Sequence, residues 1–306
     1  MNIAIIGAGG VGGYFGGRLA QAGNNVTFVA RGEHAKSIKE KGLQIISPLG
    51  NYVVENSTVV DSPLKIKDPD IILLGVKAWQ VKEIAQQLKQ VVLNNTVIIP
   101  LQNGVMAAKE LLDVLPAHNV MGGLCSIFSK IKEPGVIEHM SAKPTLVFGE
   151  LNNTVSERAE KIKQVLDEAE IHNKLSEYVQ GDTWKKFMLI CLGALGALTR
   201  ANYGVLCNTP ALRDMLLNML EEMYEVSQKE GIQLKPSIKE RTMQIMDNFS
   251  SEATSSMARD IWAVKPSELD YQIGTVVHLA QKHQINVPTC FFIYHTLLPQ
   301  EKQARS

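Results

Sequence analysis

The run Ile3-Ala4-Ile5-Ile6-Gly7-Ala8-Gly9-Gly10-Val11-Gly12 governs how the rest of the chain is read. Four apolar residues in succession suit a strand buried on both faces. The glycines that follow fit GxGxxG, and they open onto Val11–Ala22, where apolar positions recur at helical spacing. A strand and a helix joined by this turn make a dinucleotide-binding fingerprint. Gly7 permits the tight turn, Gly9 lets a pyrophosphate approach the backbone, and Gly12 lets helix and strand pack closely. Ala8, Gly10 and Val11 complete the loop, whose free N–H groups at the helix start face the phosphates.

Outward from this turn, short apolar runs alternate with amphipathic segments, the pattern of parallel strands linked by crossover helices. Strands are predicted at Ile3–Ile6, Val26–Ala30, Ile71–Val76 and Val97–Leu101, and helices at Val11–Ala22, Val81–Val92 and Ala107–Leu115. Leu43–Ile46, Tyr52–Val54 and Thr145–Phe148 read as further strands extending the same sheet near its edges. Ser156 suits the N-cap of a helix over Arg158–Ala169. Beyond about Asp182 strand signals fade, and Trp184–Leu198, Leu212–Lys229, Ser237–Asn248 and Leu269–His283 read as helices. The expected fold is an α/β Rossmann-type domain over residues 1–172 followed by an all-α domain over residues 173–306.

The second strand ends at Val29-Ala30-Arg31-Gly32 and has no acidic residue to accept from a ribose hydroxyl. Arg31 instead offers a guanidinium fork suited to a 2′-phosphate, which favours NADPH/NADP as the cofactor. Lys77 and Gln80 follow the third long strand and Gln102-Asn103-Gly104 the fourth, at the carboxyl edge where open parallel sheets bind ligands.

Composition narrows the partners. The 306 residues carry 31 Lys and Arg against 31 Asp and Glu, so no net field attracts nucleic acid or an anionic membrane. Cys125, Cys191, Cys207 and Cys290 form no CxxC pair, and the seven histidines show no HxxxH or HExxH spacing. No metal site, disulfide framework or membrane span is therefore expected, and the inferred setting is a reducing cytoplasm. Met215, Met219 and Met223 and the aromatic run Phe291, Phe292 and Tyr294 read as core filling. The apolar C-terminal helices are compatible with a homodimer.

Over nearly its full length the chain resembles the ketopantoate reductase (2-dehydropantoate 2-reductase) family. Five local matches carry the resemblance: Gly7–Gly12, Lys77–Val81, Gln102-Asn103-Gly104, Trp184-Lys185-Lys186-Phe187, and Ser255-Ser256-Met257 with Glu268-Leu269-Asp270-Tyr271. The resemblance implies NADPH-dependent reduction of a 2-oxo acid in pantothenate biosynthesis. It also implies a helical domain like that of 6-phosphogluconate dehydrogenase, and a site in the cleft it forms with the Rossmann domain. By the same resemblance Lys186 is the catalytic lysine, Glu268 its acidic companion and Ser256 a ligand of the substrate carboxylate. Asn103 contacts substrate and nicotinamide, while Arg31, Lys77 and Gln80 hold the cofactor. Lysine suits the chemistry, because hydride delivery builds negative charge on the carbonyl oxygen and a placed proton donor offsets it.

The chain departs from the family at one place. Asparagines commonly lie four and eight residues after the catalytic lysine, where this sequence has Ile190 and Ala194. The departure favours a less polar 2-oxo compound as an alternative substrate, unless an amide such as Asn202 or Asn103 compensates and keeps 2-dehydropantoate as the substrate. A non-catalytic NADP(H)-sensing protein is the alternative from another class, and Lys186 with Glu268 speaks against it.

Overall fold

Alternation within the first strand accounts for a sheet covered on both sides. Ile3 and Ile5 pack with Phe15, Leu19, Phe28 and Phe148, whereas Ala4 and Ile6 pack with Val81, Ile84, Leu88 and Leu111. Neither face is left to water, so near-continuous apolar strands are the stable choice. The computed structural model describes residues 1–55, 57–141 and 143–306, in two units: Met1–Gln102 with Met106–Val179, and Asn103–Val105 with Gln180–Ser306.

The first unit runs β1 (Asn2–Ile6), α1 (Gly10–Gln21), β2 (Asn25–Val29), α2 (Gly32–Lys41), β3 (Leu43–Ile46), β4 (Tyr52–Val54), β5 (Thr58–Val60), β6 (Ile71–Leu74), α3 (Val81–Leu88), β7 (Val97–Pro100) and α4 (Ala107–Leu112). It continues through β8 (Gly122–Ser126), β9 (Ser129–Glu133), β10 (Val136–His139), β11 (Thr145–Gly149), α5 (Glu157–Glu168) and β12 (His172–Leu175). The main sheet is parallel in the order β5-β2-β1-β6-β7. The order reverses beside β1, so the loops after β1 and β6 stand at the switch point where doubly wound sheets take ligands. The predicted helix over Arg158–Ala169 corresponds to α5, capped by Ser156, whose hydroxyl accepts from Ala159 N–H.

Three strands expected at the edges of this sheet lie elsewhere. Leu43–Ile46 and Tyr52–Val54 belong to a four-stranded sheet ordered β4-β3-β10-β9, and Thr145–Gly149 is the centre of a three-stranded one ordered β12-β11-β8. Leu43, Ile45 and Ile137 are fully buried and belong to the same core cluster as Phe15 of α1. The second sheet thus packs on α1 instead of lengthening the first. The three-stranded sheet keeps β12 whole within the first unit, which extends to Val179, past the expected boundary at residue 172.

The second unit contains α6 (Val179–Cys191, from Gln180), α7 (Gly193–Thr199), α8 (Tyr203–Asn208), α9 (Pro210–Lys229), α10 (Ile238–Asp247), α11 (Ser256–Trp262), α12 (Ile273–His283) and α13 (Pro288–Arg305). The single helix predicted over Trp184–Leu198 is divided at Leu192. A Cβ at Gly193 would lie 2.5 Å from the Ser255 Cβ, so this close approach of α7 to the start of α11 requires glycine. Met219 and Met223 are core, as read, but Phe291 and Phe292 are 47% and 58% exposed, while Tyr294 alone of that aromatic run is buried. Among the described residues no helix is long and apolar enough to cross a membrane.

Candidate active site

In the first unit the glycine turn is built as a cradle. Gly7 has φ +93°, and a Cβ at Gly12 would fall 2.1 Å from the Gly7 carbonyl oxygen, so α1 sits against the turn at a distance only glycine allows. Gly9 differs: a Cβ there meets nothing within 4 Å. The open space at Gly9, at the start of a 12-residue helix, fits the approach of a pyrophosphate to backbone N–H groups. A histidine assigned no functional role from sequence steadies this loop. His34 Nδ1 accepts from Gly135 N–H at 3.0 Å, so Nε2 carries the proton and donates to the Ala8 carbonyl at 2.8 Å.

Arg31 is the N-cap residue of α2 and lines an open pocket of about 500 Å³ together with Lys36, Lys39, Glu40 and Asp61. Its Nε donates to the Asp61 carbonyl at 3.2 Å, while the Asp61 carboxylate is paired with Lys65 at 2.8 Å. The guanidinium is thereby oriented without being neutralised by that acid. After β6, Lys77 is exposed, with Nζ 5.7 Å from the centre of the Trp79 ring. Gln80 serves locally, its Oε1 accepting from Lys77 N–H at 3.1 Å. Gln102, noted in sequence only as part of a motif, is buried and donates through Nε2 to the Leu74 and Val76 carbonyls at 2.9 and 3.0 Å. It ties the end of β7 to the turn after β6.

Asn103 belongs to the second unit, where three predicted residues come together. Lys186 Nζ donates to Asn103 Oδ1 at 2.8 Å, and Asn103 Nδ2 donates to Glu268 Oε2 at 3.0 Å. An ammonium can only donate and a carboxylate only accept, so the amide has one possible orientation. Glu268 is buried, only 7% exposed. Gln272, buried and unremarked in the sequence, places Nε2 3.5 Å from the same carboxylate oxygen. Gly104 (φ +102°) completes the arrangement, because a Cβ there would lie 2.6 Å from the Tyr271 carbonyl.

Ser256 is exposed at the first position of α11, and the cap is Ser255, whose hydroxyl accepts from Ala258 N–H at 3.0 Å. Ile190 is half-buried one turn beyond Lys186, whereas Ala194 is fully buried on the separate helix α7. Only Ile190 of this pair is open to a ligand. Asn202 is committed to capping α8, accepting from Val205 N–H at 2.9 Å.

The family model described as Ketopantoate reductase PanE/ApbA matches residues 3–153, and that for the family's C terminal matches residues 178–301. The chain belongs to the ketopantoate reductase family. It is an NAD(P)-dependent oxidoreductase of the 2-dehydropantoate 2-reductase type. A Bacillus subtilis (strain 168) protein named Uncharacterized oxidoreductase YkpB is 30% identical, over 99% of this chain and 100% of its own. The 2-dehydropantoate 2-reductase of Pyrococcus horikoshii is 26% identical, over 98% of each chain. The crystal structure of a PanE/ApbA family ketopantoate reductase from Ralstonia eutropha JMP134 superposes with a TM-score of 0.91 at 26% identity, covering 100% of both chains.

Proposed function

We propose that this ketopantoate reductase family member uses NADPH to reduce a 2-oxo acid to the 2-hydroxy acid, with 2-dehydropantoate, the precursor of pantoate, as its first substrate. The hydrogen-bonded series Lys186–Asn103–Glu268 carries the reading. NADPH, when bound, supplies the hydride. The glycine turn Gly7–Gly12 holds the pyrophosphate, Arg31 the 2′-phosphate, and Lys77, Gln80 and Asn103 the remainder of the cofactor. Lys186 gives its proton to the carbonyl oxygen as negative charge develops there. Asn103 directs the ammonium, and the Glu268 carboxylate anchors the amide, so the donor is oriented before substrate arrives. Ser256, exposed beside the cap of α11, binds the substrate carboxylate.

General acid assistance is typically worth ~10²–10⁴ in rate, so Lys186→Ala should lower kcat by about that factor while NADPH binding persists. Substrate-dependent NADPH oxidation, followed by absorbance, measures the first effect and cofactor fluorescence the second. Unchanged kcat in the variant would remove Lys186 from the chemistry. NADPH binding by the unaltered protein with no turnover on any 2-oxo acid would point to a sensor.

A second substrate reading follows from Ile190, the half-buried apolar residue one turn beyond Lys186, and from the commitment of Asn202 to its own helix cap. A side pocket without an amide discriminates weakly for a hydroxyl. On this reading 2-oxo-3-methylbutanoate, which lacks the hydroxymethyl group of 2-dehydropantoate, is reduced at least as well. A large kcat/KM advantage for 2-dehydropantoate would reject it.

A further inference from the structure

The Glu268 carboxylate is useful only if its backbone is held, and Ser267–Gln272 is not part of a helix: α12 begins at Ile273. Two groups on α13 hold it. At one end, the buried Glu301 carboxylate accepts from Ser267 N–H at 3.1 Å and from the Ser267 hydroxyl. Arg305 donates through Nε to Glu301 at 2.6 Å and through a terminal nitrogen to the Ser267 carbonyl at 2.7 Å. Every polar group of Ser267 is thus engaged, and its hydroxyl oxygen also accepts from Leu269 N–H at 3.2 Å. At the other end, the Tyr294 hydroxyl donates to Asp270 Oδ1 at 2.7 Å. Burial first, and Asp270 second, push the Tyr294 phenol above its ordinary pKa, so it remains a donor at any working pH.

Tyr294, Glu301 and Arg305 are spaced by seven and four residues, which puts all three on one face of the helix. Gly104 also lies against this segment, at the Tyr271 carbonyl. Glu268 therefore projects from a turn fixed immediately before it and two residues after it.

We propose that α13 is a positioning element for the reaction: Glu301 with Arg305, and Tyr294 through Asp270, set the Ser267–Asp270 turn so that the Glu268 carboxylate meets Asn103. This rests on the reading of Lys186, Asn103 and Glu268 as the reacting cluster. None of the three α13 residues is a catalytic residue; they act through Glu268.

Tyr294→Phe removes one hydroxyl and keeps the ring, so it is the gentler test, with Glu301→Gln as the second. Each is assayed with NADPH and both 2-dehydropantoate and 2-oxo-3-methylbutanoate, alone and combined with Glu268→Gln. Misplacement of a catalytic group by ~1 Å costs up to ~10²-fold, so a partial loosening should lower kcat by about tenfold. The NADPH Kd should stay within about twofold, and amide exchange at Ser267–Tyr271 should quicken while α9 stays protected. In the Glu268→Gln background Tyr294→Phe should cost nothing further, since residues acting as one unit are not additive.

Wild-type kcat and unchanged exchange in both single variants would overturn the proposal. An equal fold loss in both backgrounds would do so too, because it marks general weakening of the helical unit. A Glu268→Gln variant with full turnover would instead refute the reading of the cluster, and the two failures are distinct.

Discussion

Replacing Gly9 by alanine separates what the glycine turn does for folding from what it does for the cofactor. Gly9 has φ −74° and ψ −162°, a conformation open to alanine, and the added Cβ meets no atom within 4 Å. Loss of chain entropy in the unfolded state favours alanine by roughly 0.4–1 kcal/mol, and its poorer performance at an N-cap offsets a similar amount. The net change in stability is therefore within about 0.5 kcal/mol, or ~2 °C in Tm. The same methyl stands where a pyrophosphate would meet the backbone, and overfilling a close contact costs ~1–3 kcal/mol. With tenfold per 1.4 kcal/mol, the NADPH Kd should rise by roughly 5–150-fold. Gly12→Ala provides the contrast, since its Cβ would lie 2.1 Å from the Gly7 oxygen and 2.9 Å from Ile5, and both stability and binding should fall. Thermal unfolding without cofactor and fluorescence titration with NADPH measure the two quantities. Wild-type NADPH affinity in Gly9→Ala would refute the assignment of the open space, and a Tm lowered by many degrees would refute the claim that it is empty.

Arg31→Ala should weaken NADPH by about 10–100-fold, as expected for a lost hydrogen bond between charged groups, and leave NADH binding unchanged; equal losses for the two cofactors would contradict a 2′-phosphate contact. His139, buried between Ser47 and Ser141, has its pKa lowered from 6.5, first by burial and then by the charge of Arg18. The unfolded chain thus binds the proton more readily, so stability is full above the ordinary value and falls as pH drops below about 6.5. Urea midpoints measured from pH 7.5 to 5 should decline in the unaltered protein and lose that part of the slope in His139→Asn; parallel curves would exclude His139 as the source.

The first unit's central sheet was legible because local pattern and long-range packing agree there: β6 and β7 are apolar throughout, β1 is apolar after Asn2, β2 carries Val26, Phe28 and Val29, and the glycine turn marks their common edge. Leu43–Ile46 and Thr145–Gly149 were recognisable as strands, but pairing depends on partners far along the chain. Leu43–Ile46 pairs with Val136–Glu138, roughly ninety residues away, and nothing in either stretch names the other. The break at Leu192 falls within an apolar run that showed no interruption, and the close approach of Ser255 to Gly193 beside it is a long-range contact that the run does not encode. At the candidate site, Lys186, Glu268 and Ser256 were singled out through family resemblance, not periodicity, whereas Asn103 was also marked by its place at the carboxyl edge of the sheet. Gln272 was within reach, one helical turn's spacing after Glu268, yet a glutamine carries little signal unless the carboxylate beside it is known to be buried. Glu301 and Arg305 had none, because their target is a turn that the sequence presents as the start of α12.

The allotment of Asn103–Val105 to the helical unit has a practical corollary. That unit is not encoded by one continuous stretch: a fragment beginning at residue 180 would lack the amide that links its lysine to its acid, while a fragment ending at residue 179 would carry that amide stranded from both. Chimaeras that exchange the helical half between relatives must transplant this tripeptide as well, or graft Lys186 without the amide that receives its hydrogen bond.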